Sequence, residues 1–322
     1  KTSKKAAVMV KSVEGATINW GDGNDISEVN SDSEFAVWVD EDAKDYANKV
    51  VVNGAYVKVE GTGDDIISVG NAQDLKNALN SLVAGNTVVL DQDIDLTNET
   101  WEVAAPWQGS STNVVFDGGG HKITGLTTNG AYGGLLGKFN SNGNITIKNL
   151  VLENVTITGD NTGEESSGGA LIGWIENHGG SSTITIENVK VNGIKAEGFK
   201  YIGGLIGYNQ GTTMNLTDCS VNGTEGSFLN STLNDSGNYK GHVGGLLGLW
   251  NKGNITNCEV KNLAIKHGTD DMTGSSNRAG ALVGTKYSGV TVTSATVENV
   301  TVDGANATTA SLFGPNASQV SD

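Results

Sequence analysis

The sequence predicts an all-β protein: a parallel β-helix, right-handed by the general rule for parallel crossovers, capped by a short N-terminal helix and preceded by a small β element. Three observations carry this expectation. A unit of two small residues, Leu, an apolar residue and Gly recurs along the chain. Each of the first five copies is followed by a stretch in which apolar residues alternate with Thr, Asn, Lys or Glu. The 322 residues include 46 Gly but only 2 Pro, with no Gly-X-Y period, which excludes collagen and argues for many short strands joined by turns.

The unit reads Gly133-Gly134-Leu135-Leu136-Gly137, Gly169-Ala170-Leu171-Ile172-Gly173, Gly203-Gly204-Leu205-Ile206-Gly207, Gly244-Gly245-Leu246-Leu247-Gly248, Gly280-Ala281-Leu282-Val283-Gly284 and Ala310-Ser311-Leu312-Phe313-Gly314. Successive leucines stand 36, 34, 41, 36 and 30 residues apart, and a fixed period of this size marks stacked structural repeats. The following stretches, such as "NITIKNLVLENVTI" and "TITIENVKVNGIKA", have the period-2 signature of strands with one buried face. Helical repeats of similar length would need a 3.6-residue period and helix formers, so they are rejected.

Aligning the stretches gives three apolar columns: Ile147, Ile186, Leu216, Ile255 and Val292; Leu150, Val189, Cys219, Cys258 and Ala295; Leu152, Val191, Val221, Val260 and Val297. One unit cannot bury its own apolar face. Stacking along an axis merges the columns into one core, with about three short strands per coil. The recurring glycines are read as points where the backbone bends or packs closely. A nucleotide-binding role for them is not supported, because no phosphate-binding fingerprint opens a helix after any copy.

An open solenoid exposes strand edges that proteins cover. "NAQDLKNALNSLVAG", residues 71–85, supplies a cover: Asn71 as N-cap, Asp74 in the first turn, an apolar face of Leu75, Ala78, Leu79 and Leu82, and Gly85 for the C′ position. "TVVLDQDIDLT" and "NVVFDGGGHKITGLT" read as the first strands of the solenoid. Residues 1–66 form a leading β segment and 67–322 the β-helix. Within the leader, Asn53-Gly54 suits a type I′ hairpin turn.

Net charge is −16 and Arg278 is the single arginine, so nucleic acid and anionic membrane surfaces are poor partners. No stretch reaches the roughly 18 apolar residues of a spanning helix, so membrane insertion is not expected. "KTSKKAAVMV" lacks a long apolar run, and any signal peptide is expected to have been removed or to lie outside this sequence. Two cysteines do not make a disulfide scaffold. Cys219 and Cys258 share one column and read as reduced packing residues. N-x-S/T sequons, among them Asn144, Asn215 and Asn254, are mostly the product of Asn- and Thr-rich composition.

Candidate chemistry is sparse. "DQDIDLTNETWE" places Asp91, Asp93 and Asp95 at alternate positions, a weak Ca²⁺ candidate. Leu96, however, stands where an EF-hand loop requires Gly, and strand alternation explains the stretch. His121, His178, His242 and His267 share no register, Asp270-Asp271 lies in a polar stretch, and the paired carboxylates of polysaccharide cleavage do not stand at corresponding positions. No cofactor or metal is expected. One feature goes beyond packing: an aromatic follows each of the first five Gly-Leu units, namely Phe139, Trp174, Tyr208, Trp250 and Tyr287. Stacked coils could align these into a stripe, which is either a buried ladder or, where exposed, a ligand platform for sugar rings.

"GGLLGKFNSNGNITIKN", "IGGLIGYNQGTTMNLTDCSVNG" and "VGGLLGLWNKGNITNCEVKN" resemble GLUG repeats of bacterial surface proteins and adhesins. The preceding "LDQDIDLTNETW" and "VVFDGGGHKITGLT" resemble the opening of such arrays and of pectate-lyase-like β-helices. The resemblance covers about residues 70–314. Ala170, Ala281 and Ser311 depart from it where other copies have Gly. It implies a secreted or bacterial cell-surface protein that binds carbohydrate or a host surface protein without catalysis, as a monomer or within a larger surface assembly. A β-helix polysaccharide lyase or hydrolase and a passive stalk are the alternatives.

Overall fold

The computed structural model describes residues 6–10, 35–39, 56–59, 65–81, 85, 87–102, 114–140, 143–160, 166–176, 182–209, 211–231, 241–267, 278–303, 305–306 and 312–314. Among them the strands form a 22-stranded sheet and a second, 5-stranded sheet. Pairing is parallel except where Tyr56–Val59 meets Asp65–Val69 and where Ala295–Val302 meets Ala305–Asn306. Each strand of the repeat pairs with its counterpart one repeat later, so the chain winds as a parallel β-helix.

The register reproduces the apolar columns residue by residue. Ile147 pairs with Ile186, Ile186 with Leu216, Leu216 with Ile255 and Ile255 with Val292. Leu152, Val191, Val221, Val260 and Val297 do the same. All of these but Val292 and Val297, in the last coil, are fully buried. Fully burying one such side chain contributes about 1.5–3 kcal/mol, and each coil gains it only against a neighbour.

Each coil carries five strand positions rather than three. The first three follow one another in the long strands Ile145–Thr158 and Thr183–Glu197. The fourth comprises Tyr132–Gly133, Ser167–Gly168, Tyr201–Gly203, His242–Gly244 and Arg278–Gly280, which alone make the smaller sheet. The fifth comprises Lys138–Asn140, Ile172–Glu176, Ile206–Asn209 and the starts of Leu247–Thr256 and Val283–Val292. Strands of two to five residues are too short to show an alternation. The Gly-Leu unit therefore looks like one bend in the sequence, whereas it is a reversal between two strands.

The corners between the first three strand positions are made mostly by asparagine, with Asp218 at one first corner and Gly193 at one second corner. Asn149, Asn188, Asp218 and Asn257 turn the first corner and Asn154, Asn262 and Asn299 the second, all with φ of 50° to 55°. Asn and Asp visit this left-handed region at lower cost than other side chains. Their amides also link coils: Asn188 Nδ2 donates to Asn149 Oδ1 at 3.1 Å, and Asn299 Nδ2 to Asn262 Oδ1 at 2.7 Å. Asn257→Ala is expected to lower stability by about 1–2 kcal/mol and Asn257→Gly by less, measured by urea unfolding. Equal losses would mean that the side-chain bond to Asp218, not the backbone angle, sets the cost.

The cap forms as expected. The helix spans Ala72–Ser81. Asn71 Oδ1 accepts the Asp74 N–H at 2.9 Å, while Leu75, Ala78 and Leu79 are buried in the common core. Gly85 has a φ of 89° but stands four residues beyond the helix's last residue, Ser81, so it does not occupy the expected C′ position; Leu82 lies outside the described residues. In the leader, Ala6–Val10, Phe35–Val39 and Tyr56–Val59 pair in parallel order. The strand Asp65–Val69 spans the 66/67 junction and joins the leader to Thr87–Leu90. The Asn53-Gly54 turn lies outside the described residues.

Candidate functional site

The site is created by the reversal. The closing glycines of the later copies lie in the fifth strand position, packed against the fourth: a Cβ on Gly207 would sit 2.6 Å from the Gly173 carbonyl oxygen and 2.8 Å from the Gly168 nitrogen. The two layers therefore meet backbone to backbone. The residue after the closing Gly is brought against the residue two places before the opening Gly, so Tyr208 meets Tyr201.

Around that point five rings gather. Trp174 and Tyr208, paired in register, stack with centroids 4.0 Å apart and planes at 17°. Tyr201 lies 4.5 Å from Tyr208 and stacks on His242 at 5.0 Å. Tyr132 and Tyr201 each stand edge-on to Trp174 at 6.1 Å. Offset-stacked and edge-to-face pairs of this kind contribute about 0.5–1.5 kcal/mol beyond area burial. Lys138 Nζ lies 5.2 Å from the Tyr132 centroid and 5.8 Å from that of Trp174, and Lys200 Nζ lies 5.1 Å from that of Tyr201. Lys138 also pairs with Glu176 at 3.4 Å. Trp174 is only 4 % exposed, whereas Tyr132, Tyr201, Tyr208 and His242 are half-buried. The cluster is thus an aromatic surface resting on a buried indole.

The expected five-membered stripe is corrected. Trp174 and Tyr208 belong to the cluster; Trp250 does not. Tyr208 pairs with Leu249, and Trp250 is in register with Asn209. That one-residue offset moves its ring to the other face of the strand. Trp250 is fully buried, its Nε1 donating to the Lys252 carbonyl oxygen at 2.8 Å. Tyr287 is 48 % exposed and follows Lys286, the partner of Trp250, so it stands outside the Trp174–Tyr208 register. Phe139 pairs with Ile175, again one place off, and its side chain lies outside the described residues. Sequence reasoning missed Tyr132, Tyr201 and His242. The available signal was an aromatic or cationic residue two places before the opening Gly, as in Tyr201, His242 and Arg278.

The other candidates have separate partners. Asp91 accepts the Ser68 hydroxyl at 2.8 Å. The Lys122 N–H and His121 hold the Asp93 carboxyl below the usual carboxylate range, and the Thr97 hydroxyl and N–H do the same for Asp95. The three carboxylates thus serve separate partners: Asp91 and Asp93 reach residues of other coils, and only Asp95 closes a local turn. Among the described residues no group of three His, Cys, Asp or Glu is placed to hold a metal ion. His242 bonds Thr285 at 2.6 Å and His267 bonds Asp303 at 2.8 Å; His178, Asp270 and Asp271 lie outside the described residues. Ser220 pairs with Glu259, which sets Cys219 beside Cys258. Both thiols are free and buried, and the hydrogen bond with Cys258, together with burial, pushes the Cys219 thiol up.

No family model matches the chain. It is 32% identical over 166 residues to halomucin of Haloquadratum walsbyi strain DSM 16790, a match that takes in 48% of this chain and spans 2% of that protein's length. Among solved structures, it is similar to a Bacteroides ovatus protein provisionally named an immunoglobulin A1 protease, with 18% identity and a TM-score of 0.40 over 75% of this chain and 78% of that one. No helix among the described residues is long and apolar enough to cross a membrane.

Proposed function

We propose that this chain is a non-catalytic binding portion of a secreted or cell-surface bacterial protein, built of GLUG-like coils, and that its aromatic cluster takes carbohydrate. The observation that carries the reading is the stacked Trp174–Tyr208 pair, flanked by the half-buried rings of Tyr132 and Tyr201. Aromatic faces beside polar tips suit the apolar C–H faces and hydroxyl edges of sugars. A rigid solenoid holds these rings at fixed spacing, so little ordering is needed on binding. A hydrolase would need two carboxylates poised about one bond, and Glu176, whose partner Lys138 lies beside the cluster, is paired with that lysine.

A glycan array probed with the full chain, beside a Tyr201→Ala/Tyr208→Ala double variant, tests this reading. Specific signal is expected from the native protein. The variant should lose at least tenfold in affinity, about 1.4 kcal/mol, with an unchanged circular dichroism spectrum. A blank array would overturn the carbohydrate reading in favour of a protein receptor or a passive stalk. Release of new reducing ends from a bound glycan would overturn the non-catalytic one.

A further inference from the structure

We infer that the cluster continues into an end subsite, a cavity that takes one neutral pyranose unit at the terminus of a glycan. The inference rests on the carbohydrate reading above. The cavity, of about 310 Å³, opens at the N-terminal end of the fourth and fifth strand positions, where Tyr132 and Lys138 are their first described members. Its size is near the lower end of ligand pockets, roughly 300–1,000 Å³, which is room for one small unit rather than a chain. Tyr132 and Lys138 line the cavity and also belong to the cluster, so the two surfaces are continuous. Coils stack at roughly 4.8 Å, close to the length of one pyranose residue. A linear glycan running along the axis therefore advances about one unit per coil until it reaches this cavity.

The lining selects the class of ligand. Trp101 is held by its Nε1 donating to the Leu135 carbonyl oxygen at 2.9 Å, and offers its ring as an apolar wall. Thr128 Oγ1 accepts the Gly134 N–H at 3.2 Å, which leaves its own proton to donate. Asn129 offers both a donor and an acceptor, Glu102 an acceptor and Lys138 donors. Lys138 is already paired with Glu176 at 3.4 Å, so Glu102 leaves the cavity mouth net negative and repels a uronate. A neutral ring with hydroxyl groups on its edge and C–H groups on its face satisfies this set.

The test is titration calorimetry of the full chain with cello-, laminari- and chito-oligosaccharides of increasing length. It compares the native protein with Asn129→Trp, Glu102→Lys and the Tyr201→Ala/Tyr208→Ala pair. Asn129 and Glu102 are exposed, so their replacements fill or recharge the cavity without touching the core. Each single variant is expected to weaken binding at least tenfold, and lengthening the oligosaccharide is expected not to restore it. Full-strength binding by both single variants, with loss in the tyrosine pair, would overturn the end subsite and leave the cluster reading standing. Absence of binding to every probe, or indifference to the tyrosine pair, would overturn the carbohydrate reading and the subsite with it.

Discussion

Trp250→Ala is expected to cost about 3–5 kcal/mol of folding stability, while Tyr208→Ala, one register position away in the neighbouring coil, is expected to cost far less. The two residues follow the same unit in successive repeats, yet Trp250 is fully buried in the common core and Tyr208 is half-buried on the surface. Removing the indole opens a cavity among coils that cannot collapse independently, because each is tied in register to the next. It also removes the donor to the Lys252 carbonyl oxygen. Urea unfolding followed by circular dichroism measures both variants. A loss below 1 kcal/mol for Trp250→Ala would mean that the ring is not packed in the core. Glycan affinity of the folded Trp250→Ala protein is expected to be native, since the ring takes no part in the cluster.

Gly207→Ala is expected to lose about 3 kcal/mol, the upper end of the usual cost of overpacking. The new Cβ would lie 2.6 Å from the Gly173 carbonyl oxygen and 2.8 and 2.9 Å from the Gly168 nitrogen and oxygen. All of these are backbone atoms, fixed by strand pairing on both sides, so no rotamer change relieves the contact. Gly120→Ala makes the contrast: nothing lies within 4 Å of its Cβ, and only its φ of 82° is unfavourable, which costs about 1–2 kcal/mol. Equal losses at the two positions would refute close approach as the reason for the closing glycine. The same variant reports on the site, because forcing the two layers apart also separates Tyr208 from Tyr201. Gly207→Ala is therefore expected to weaken glycan binding as well as stability.

Much of the architecture was legible without coordinates. The core columns, the capping helix with Asn71 at its start and the stacking of repeats all follow from apolar residues returning at the same offset in every unit. Two features were not legible. Asparagine at the corners read simply as turn-rich composition, because the need for positive φ at Asn149, Asn188 and Asn257 arises only once the strand bends there. The fourth strand position was invisible because two or three residues carry no period.

The sequence by itself determined that this protein is a stacked β-solenoid, which residues form its core and that its coils share a glycine-rich bend. Its repeats are long enough for a period-2 signal to accumulate over several copies, and burial follows from that signal. Only the tertiary structure decided which aromatics form a surface. In a strand, a register offset of one residue exchanges the inner and outer faces, and the loose spacing after the closing glycine hides whether Trp250 is aligned with Tyr208 or beside it. Tyr201 joins Tyr208 for a complementary reason: the glycines between them let two backbones touch, and that contact joins positions which sequence order keeps apart.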